Sequence, residues 1–183
     1  MSLFKNTYRI ESIRLLEFDY STPGYYSITI CTKDRENYFG EINNCKMKYS
    51  PIGLIARKFW LEIPKHYPFI ELAEFIVMPN HVHGIIIIND FKSVETHNCA
   101  SLQKISNIHP RHYNKFGLQS KNLAAIIRAY KSTVKKYANE HDIEFNWQPR
   151  YYEHIIRDND ELNRIREYIK NNPLNWKTDR NNI

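Results

Sequence analysis

Residues 74–89 read EFIVMPNHVHGIIIIN, and this stretch decides the fold. Its two apolar runs, Phe75–Val77 and Ile85–Ile88, are dominated by β-branched residues, which favour buried or half-buried strands. Pro79 lies between them and lacks a backbone donor, so we expect it at a strand end, a bulge or an edge. The stretch therefore predicts the central strand pair of the domain.

The same stretch carries a His-x-His pair. His81 and His83 are two residues apart, so on an extended strand both side chains point to one face while Val82 points to the other. Two imidazoles side by side on a rigid strand would supply half of a metal site. Two surface histidines on an edge strand are the alternative, which the pair alone leaves open.

The composition is that of one globular domain. The chain has 183 residues, of which 42% are hydrophobic and 14% aromatic, enough for a sizeable core. Lys and Arg number 26 against 20 Asp and Glu, and this modest excess suits a polyanionic partner. The three cysteines form no zinc or disulfide pattern, which fits a reducing cytosol. The sequence predicts neither a signal peptide nor a run of the ~20 apolar residues that a membrane span needs.

Two β elements are predicted before the central stretch. Gly24–Lys33 alternates apolar residues with small polar ones, as a strand with one buried face does. Asn37–Met47 predicts a short hairpin that turns at the pair Asn43 and Asn44.

A helix is predicted between this hairpin and the central strands. Ser50 suits the N-cap and Pro51 the first helical position. Apolar residues at helical spacing then extend the helix over Pro51–Glu62. We expect Pro64 and Pro68 to end it.

Two segments lack a clear periodicity. Residues 1–21 are mixed and charged, and are predicted to form an N-terminal arm. Residues 91–120 are polar, and are predicted to be a loop insertion. The chain is thus expected to be a single domain over residues 1–183.

The next predicted helix, Asn122–Glu140, has two faces of different character. The apolar stripe consists of Leu123, Ile126, Ile127, Tyr130, Val134 and Tyr137. Arg128, Lys131 and Lys135 share another face. This basic face is either a solvated surface or a stripe that contacts phosphates, and the helix alone does not decide.

Residues 145–157 read FNWQPRYYEHIIR and predict a further strand, on which Tyr152 and His154 share one face. Aromatic residues interleaved with Arg150 and Arg157 suit base stacking combined with phosphate contact. They equally suit an ordinary strand that packs against a helix.

The last predicted helix begins with Asp158 and Glu161 in capping-box spacing, and Pro173 ends it. Tyr168 and Asn172 are four residues apart, so they lie on one face of this helix. An amphipathic helix whose tyrosine packs against the sheet is the alternative.

Three blocks of this sequence resemble the REP-associated tyrosine transposases, single-tyrosine enzymes of the HUH superfamily. The blocks are MPNHVHGIIII at 78–88, WQPRYYEHIIRD at 147–158 and ELNRIREYIKNNP at 161–173. The resemblance also covers SIRLLEFDYSTPGYYSITICTKDR at 12–35. The resemblance therefore spans most of the chain outside residues 91–120.

The resemblance implies a fold and a site. The fold is a ferredoxin-like, RRM-like α+β sandwich, with helices packed on a central antiparallel sheet. His81 and His83 are implied as metal ligands and Tyr168 as the nucleophile. The family takes its third ligand from the position one turn after the tyrosine, which here is Asn172.

The implied activity is that of a single-stranded DNA endonuclease and strand transferase. Tyr168 would form a 5′-phosphotyrosine, and the released 3′-OH could later attack that intermediate to join strands. Mg²⁺ or Mn²⁺ is the expected cofactor. No Walker loop or dinucleotide motif occurs in the sequence, so no nucleotide cofactor is expected.

The expected partner is single-stranded DNA with hairpin-forming repeats, in the cytoplasm at the nucleoid, without a membrane. The sequence leaves a monomer or a homodimer open. The predicted DNA contacts are Arg128, Lys131, Lys135, Arg150 and Arg157. Two alternatives remain at this point: a catalytically inactive nucleic-acid-binding module of the same fold, and a metal-dependent hydrolase that uses water and in which Tyr168 is structural.

Overall fold

The computed structural model describes residues 21–90, 122–179 and 181–182, together with the backbone of two short strands near the N-terminus. The strands are β1 Leu3–Phe4, β2 Thr7–Tyr8, β3 Gly24–Cys31, β4 Gly40–Asn43, β5 Lys46–Tyr49, β6 Ile70–Met78, β7 His81–Ile88 and β8 Tyr152–Ile156. The α-helices are α1 Pro51–His66, α2 Leu123–Glu140 and α3 Asn159–Asn171, and short 3₁₀ helices cover Lys33–Arg35 and Trp176–Thr178.

The central sheet has four antiparallel strands in the order β6-β7-β3-β8. Helices α1 and α2 pack on one face around a large apolar cluster, and α3 packs on the other face around a smaller one. Strand β3 lies between β7 and β8, as the order β-α-β-β-α-β of a ferredoxin-like fold requires. The predicted α+β class, with helices on a central antiparallel sheet, is confirmed.

Strand β7 divides its side chains between the two faces. Val82 and Ile86 belong to the large cluster beneath α1 and α2. Ile85 belongs to the small cluster, where it packs with α3. His81 and His83 have the same strand parity as Ile85, so they share the face that α3 covers. The alternation predicted for this strand therefore directs both imidazoles towards the last helix.

Gly84 allows α1 to approach β7 closely. A Cβ at this position would lie 2.7 Å from Cζ2 of Trp60 and 2.8 Å from Cβ of Phe75. Trp60 is fully buried and its ring stacks on Phe75. The glycine beside the His-x-His pair is thus required by packing on the opposite face of the strand.

The start of α1 is confirmed and its predicted end is wrong. Ser50 Oγ accepts a hydrogen bond from Gly53 N at 3.1 Å, and Pro51 opens the helix. The helix does not end near Glu62 but continues through Pro64 to His66. A proline in the last turn removes only one intrahelical donor, and the burial of Ile63 holds that turn against the core.

The predicted hairpin is present, but its turn is displaced by one residue. Asn43 still pairs with Lys46 in the ladder, so the turn residues are Asn44 and Cys45 rather than Asn43 and Asn44. Both turn residues have positive φ, 49° and 59°. A two-residue turn of this kind needs positive φ at both central positions, which fixes its register.

The remaining helix and strand predictions are confirmed within the ranges above. The N-terminal arm, residues 1–21, lies mostly outside the described residues, and the insertion at 91–120 lies entirely outside them. Among the helices that the structure describes, none has the length and apolarity to cross a bilayer.

Candidate active site

Two histidines at the start of β7 form the part of the candidate site that lies on the sheet. His81 pairs with Cys31 and His83 with Thr29 across the ladder to β3, and both imidazoles are buried. Thr29 Oγ1 lies 2.6 Å from His83 Nδ1, and Asn80 Oδ1 lies 2.9 Å from His81 Nδ1. With Nδ1 engaged on both rings, Nε2 is the nitrogen that each ring can offer to a metal ion.

The contacts of Asn80 determine the tautomer of His81. Asn80 Nδ2 donates to the backbone carbonyl of Arg35 at 3.1 Å and to that of Asn181 at 2.7 Å. If the Asn80 amide were reversed, its oxygen would face these two carbonyl oxygens, which can only accept hydrogen bonds. Oδ1 must therefore face His81. His81 Nδ1 therefore carries the proton, and in the neutral ring Nε2 carries the lone pair, which is the form a metal-binding histidine needs.

Helix α3 brings Tyr168 over the histidines. Asp158 caps the helix by accepting from Glu161 N at 2.7 Å, which confirms the predicted start. The rings of His83 and Tyr168 meet edge to face, with centroids 5.3 Å apart. Tyr168 is 40% exposed, so the residue is only partly covered although its ring packs against His83.

An ion-pair cluster fastens this helix to the edge strand. Glu74 of β6 accepts from Arg166 Nε at 2.8 Å and lies 3.2 Å from Lys170 Nζ. Burial alone would raise the pKa of Glu74, but a backbone hydrogen bond and the two cations hold that pKa below its usual value. The cluster sets the position of α3 on the sheet, and with it the position of Tyr168.

Asn172 caps the C-terminal end of α3 and is buried, with 1% of its surface exposed. Its Nδ2 donates to Asp179 Oδ2 at 3.1 Å. Its Oδ1 is buried and makes no hydrogen bond within the described part of the chain. A buried amide oxygen in this condition is costly unless it has a further partner, and a bound cation is one such partner.

Asp179 is the residue of this site that the sequence analysis missed. It follows the 3₁₀ turn Trp176–Thr178, and Oδ2 accepts from Tyr168 Oη at 2.8 Å as well as from Asn172. Burial would raise its pKa, but hydrogen bonds from Asn181 N, Tyr168 and Asn172, together with the nearby His81 imidazole, hold the pKa of this carboxyl below its usual value. No helical or strand period links position 179 to Tyr168, so only the folded chain reveals the contact.

The residues present fit a divalent cation. The structure brings together the two imidazoles, the Tyr168 ring and, through Asp179, the Asn172 amide. Imidazole and amide oxygen ligands with a carboxylate beside them suit Mg²⁺ or Mn²⁺. Within the described ranges no three His, Cys, Asp or Glu side chains cluster as ligands, so a cation here would depend on Asn172.

Three other tyrosines differ from Tyr168 in their surroundings. Tyr130 is buried under α1, where its hydroxyl group donates to Ala56 O at 3.1 Å, and burial raises its pKa. Tyr152 is exposed on β8, and Tyr151 precedes that strand and packs against the large cluster. Tyr152 pairs with Thr29 across the ladder, and Thr29 pairs in turn with His83, so Thr29 separates Tyr152 from the histidines on the same sheet face.

The basic residues predicted to contact DNA are not grouped around Tyr168. Lys131 Nζ donates to the carbonyl of Gln148 at 2.7 Å and to that of Arg150 at 3.2 Å, and burial lowers the pKa of Lys131. Lys135 Nζ donates to Phe145 O at 2.6 Å. These two lysines hold the loop that leads into β8, whereas Arg128 is exposed on α2.

The other two predicted DNA contacts lie on either side of β8. Arg150 is exposed in the loop before the strand, with a φ of 106°. Arg157 is exposed directly after the strand, and its backbone N–H donates to Glu161 Oε2 at 2.9 Å. Helix α2 packs on the sheet face opposite α3, so Arg128, Lys131 and Lys135 lie on the other side of the sheet from Tyr168.

Comparison with known proteins gives relatives over nearly the whole chain. A Haemophilus influenzae protein described as "Uncharacterized protein" is 38% identical over 169 residues, covering 92% of this chain and 90% of the relative. A second H. influenzae protein, "Putative REP-associated tyrosine transposase", is 26% identical over 158 residues, covering 85% of this chain and 73% of the relative. No family model matches the chain.

One solved structure shares the fold. It is a REP-associated tyrosine transposase bound to a REP hairpin, with a TM-score of 0.57 and 16% identity over 91% of this chain and 74% of that one. The α+β fold of this chain is thus the fold of that transposase. In sequence and fold, the chain is similar to REP-associated tyrosine transposases.

Proposed function

We propose that the protein is a metal-dependent single-stranded DNA endonuclease and strand transferase that acts through Tyr168. The observation that carries the proposal is the junction of three chemical groups on one face of the sheet. The Tyr168 ring packs against the buried His83 imidazole, and the buried His81 imidazole lies on the same sheet face. Asp179 joins the Tyr168 hydroxyl group to the Asn172 amide. Relatives named as transposases support a DNA substrate.

The chemistry required of Tyr168 is in-line attack on a backbone phosphate. Its Oη forms a bond to phosphorus while the bond from phosphorus to the 3′ oxygen breaks. The electron pair stays on the 3′ oxygen, which gains a proton as the phenol loses one. The protein is then joined to the 5′ phosphate, and the free 3′-OH can reverse the step on the same or another strand.

The roles of the other side chains follow from their contacts. His81 and His83, whose rings are fixed by Asn80 and Thr29, would hold a divalent cation together with Asn172 Oδ1. When bound, this ion would polarise the scissile phosphate. The His83 ring also fixes the plane of the Tyr168 ring, which limits the directions in which the phenol can attack.

The substrate class is proposed to be single-stranded DNA that contains hairpins. The solved structure that shares the fold holds a REP hairpin, and the net charge of +6 favours a polyanion. Arg128, Arg150 and Arg157 are exposed and are candidates for phosphate contacts distant from the site. Lys131 and Lys135 would contribute mainly by holding the loop before β8.

The test is a cleavage assay with a hairpin-containing oligonucleotide in Mn²⁺, labelled in separate reactions at its 3′ or 5′ end. The proposal expects the 3′ label to migrate with the protein on a denaturing gel and the 5′ label to appear in a shorter free fragment. Tyr168→Phe should remove both products. Tyr152→Phe, a matched change at a tyrosine of similar exposure, should remove neither.

Two other results would each contradict the proposal. Binding without any cleavage, in wild-type protein that is folded and supplied with metal, would indicate a nucleic-acid-binding module. Short fragments without a protein-linked label would indicate hydrolysis by water.

A further inference from the structure

The C-terminal segment, here meaning Asp179 with Asn181 and Asn182, is tied to the candidate site by hydrogen bonds. Asn181 N donates to Asp179 Oδ1 at 2.6 Å, and Asn181 Oδ1 accepts from the guanidinium group of Arg35. Asn181 O accepts from Asn80 Nδ2 at 2.7 Å. The segment is therefore anchored to the same turn between β6 and β7 that precedes the histidines.

Asn80 links this segment to the first histidine. Its Oδ1 faces His81 Nδ1 and its Nδ2 faces Asn181 O, so one side chain touches both. Through Asn181, the link reaches Asp179, whose other carboxylate oxygen contacts Tyr168 and Asn172. The histidine strand and the tyrosine helix are thus joined a second time, through the end of the chain.

The Asp179 carboxylate leaves one orientation for the Asn172 amide. An ionised carboxylate can only accept hydrogen bonds, so it selects Nδ2 of Asn172 and turns Oδ1 away from itself. That Oδ1 is the buried oxygen that makes no hydrogen bond within the described residues. With no carboxylate at position 179, the amide could turn over and present a donor where a cation needs an acceptor.

Resting on the function proposed above, we propose that Asp179 is a positioning residue of the cleavage site. Its carboxylate orients Asn172 so that the amide oxygen can serve a divalent cation, and it holds the Tyr168 hydroxyl group beside the same site. Asp179 is not assigned as a ligand itself, because it does not cluster with the two histidines as a ligand set within the described chain. It acts on the cation through Asn172, as outer partners of metal ligands do.

The experiment compares wild-type protein with Asp179→Asn, a nearly isosteric change that removes the charge and the fixed acceptor. Mn²⁺ binding is measured by calorimetry without DNA, and adduct formation is measured in parallel. Loss of an outer partner typically lowers metal affinity by about 10–100-fold. We expect a loss of that size and a similar loss in adduct rate at limiting Mn²⁺, partly restored at saturating Mn²⁺.

Two controls separate this role from a structural one. Asp142→Asn removes a carboxylate from an exposed position after α2 and should change neither reading. The affinity of Asp179→Asn for the hairpin oligonucleotide in EDTA should equal that of the wild type. If thermal melting shows that Asp179→Asn does not fold, Asp179→Ser provides the same test.

The outcomes are distinct. Unchanged Mn²⁺ affinity in a folded Asp179 variant would overturn the inference. Faster cleavage by the variant would also overturn it, because the segment would then cover the site rather than complete it. In both cases wild-type protein still forms the adduct and the proposed function stands. Wild-type protein that binds no Mn²⁺ and forms no adduct would overturn both.

Discussion

The two faces of the central sheet are built for different purposes. Beneath α1 and α2 the sheet is covered by a large, almost wholly apolar cluster that contains Trp60, Phe39 and Phe145. Within the described residues, the apolar cluster beneath α3 has four buried members, and the polar residues Thr29, His81 and His83 lie on the same face. If the proposed function is right, the alternation of side chains along each strand separates the residues that stabilise the fold from those that perform the chemistry.

The largest difference is expected from two neighbouring buried residues of β7. His81→Ala should lower adduct formation on the order of 10³-fold, because it removes a group that is expected to stabilise charge at the phosphate. Val82→Ala should cost about 2 kcal/mol of unfolding free energy and leave the activity of the folded protein intact. Urea unfolding and the adduct assay, run on both variants, give the comparison. A Val82→Ala protein that is fully folded but inactive would break the separation of the faces.

Gly84→Ala should affect the large cluster without any change of polarity. The added methyl group would lie 2.7 Å from Trp60 Cζ2, so we expect a loss of about 1–3 kcal/mol in unfolding free energy. The measurement is a urea unfolding midpoint and slope. In a double-mutant cycle, Trp60→Phe should relieve part of the clash, so the two losses should be less than additive. Additive losses would mean that the close approach to Trp60 is not what requires the glycine.

Substitutions of Lys131 and Arg128, both on α2, should affect different properties: the first stability and the second DNA binding. Lys131→Ala removes two hydrogen bonds to the loop before β8, so we expect a loss of about 1–2 kcal/mol in stability. Arg128→Ala should leave stability unchanged and, if Arg128 contacts a phosphate, reduce the slope of log affinity against log salt by about 0.7 for single-stranded DNA. Salt titrations of oligonucleotide binding and urea unfolding test both variants. An unchanged slope for Arg128→Ala would show that this residue is only part of a solvated surface.

The smallest effect is expected at the ion pairs that fasten α3. In the folded protein the pKa of Glu74 lies below the ordinary value of 4.5. The ionised Glu74 carboxylate therefore stabilises the fold above pH 4.5, and this stabilisation is lost as the pH falls through the folded pKa. Glu74→Gln should therefore be less stable than wild type at pH 7, by up to about 1 kcal/mol. The difference in unfolding free energy between Glu74→Gln and wild type should become smaller as the pH falls to about 3. Urea unfolding of both proteins at the two pH values measures it, and a gap that widens on acidification would contradict the assignment.

Periodicity was sufficient for most of the fold. The alternation in β3 and β7 and the apolar stripes of α2 and α3 predicted elements that the structure confirms. The predictions were wrong where packing overrides a local sequence preference. Pro64 is expected to end α1, but the burial of Ile63 keeps the last turn helical. The hairpin turn moved by one residue because positive φ is needed at two consecutive positions.

The sequence predicts those parts of the candidate site in which the residues belong to the same strand or the same helix. The strand spacing of His81 and His83 and the helix spacing of Tyr168 and Asn172 are local, so the sequence contains them. Asp179 reaches Tyr168 through a turn with no period of its own, and the ring of contacts through Asn80 depends on long-range folding. The charge of a lysine on α2 does not show whether it contacts a phosphate or holds a loop. The sequence does not reveal that Lys131 and Lys135 donate to carbonyl groups in the loop before β8.

The proposed chemistry passes through one oxygen, Tyr168 Oη, on the α3 face of the sheet. Its most direct test is to incubate wild-type protein with Mn²⁺ and a hairpin-containing single strand, digest the product with protease and nuclease, and locate the nucleotide-bearing peptide by mass spectrometry. We expect a phosphotyrosine-linked nucleotide on the peptide that contains Tyr168 and on no other. A nucleotide attached instead to Tyr130, Tyr151 or Tyr152 would contradict it.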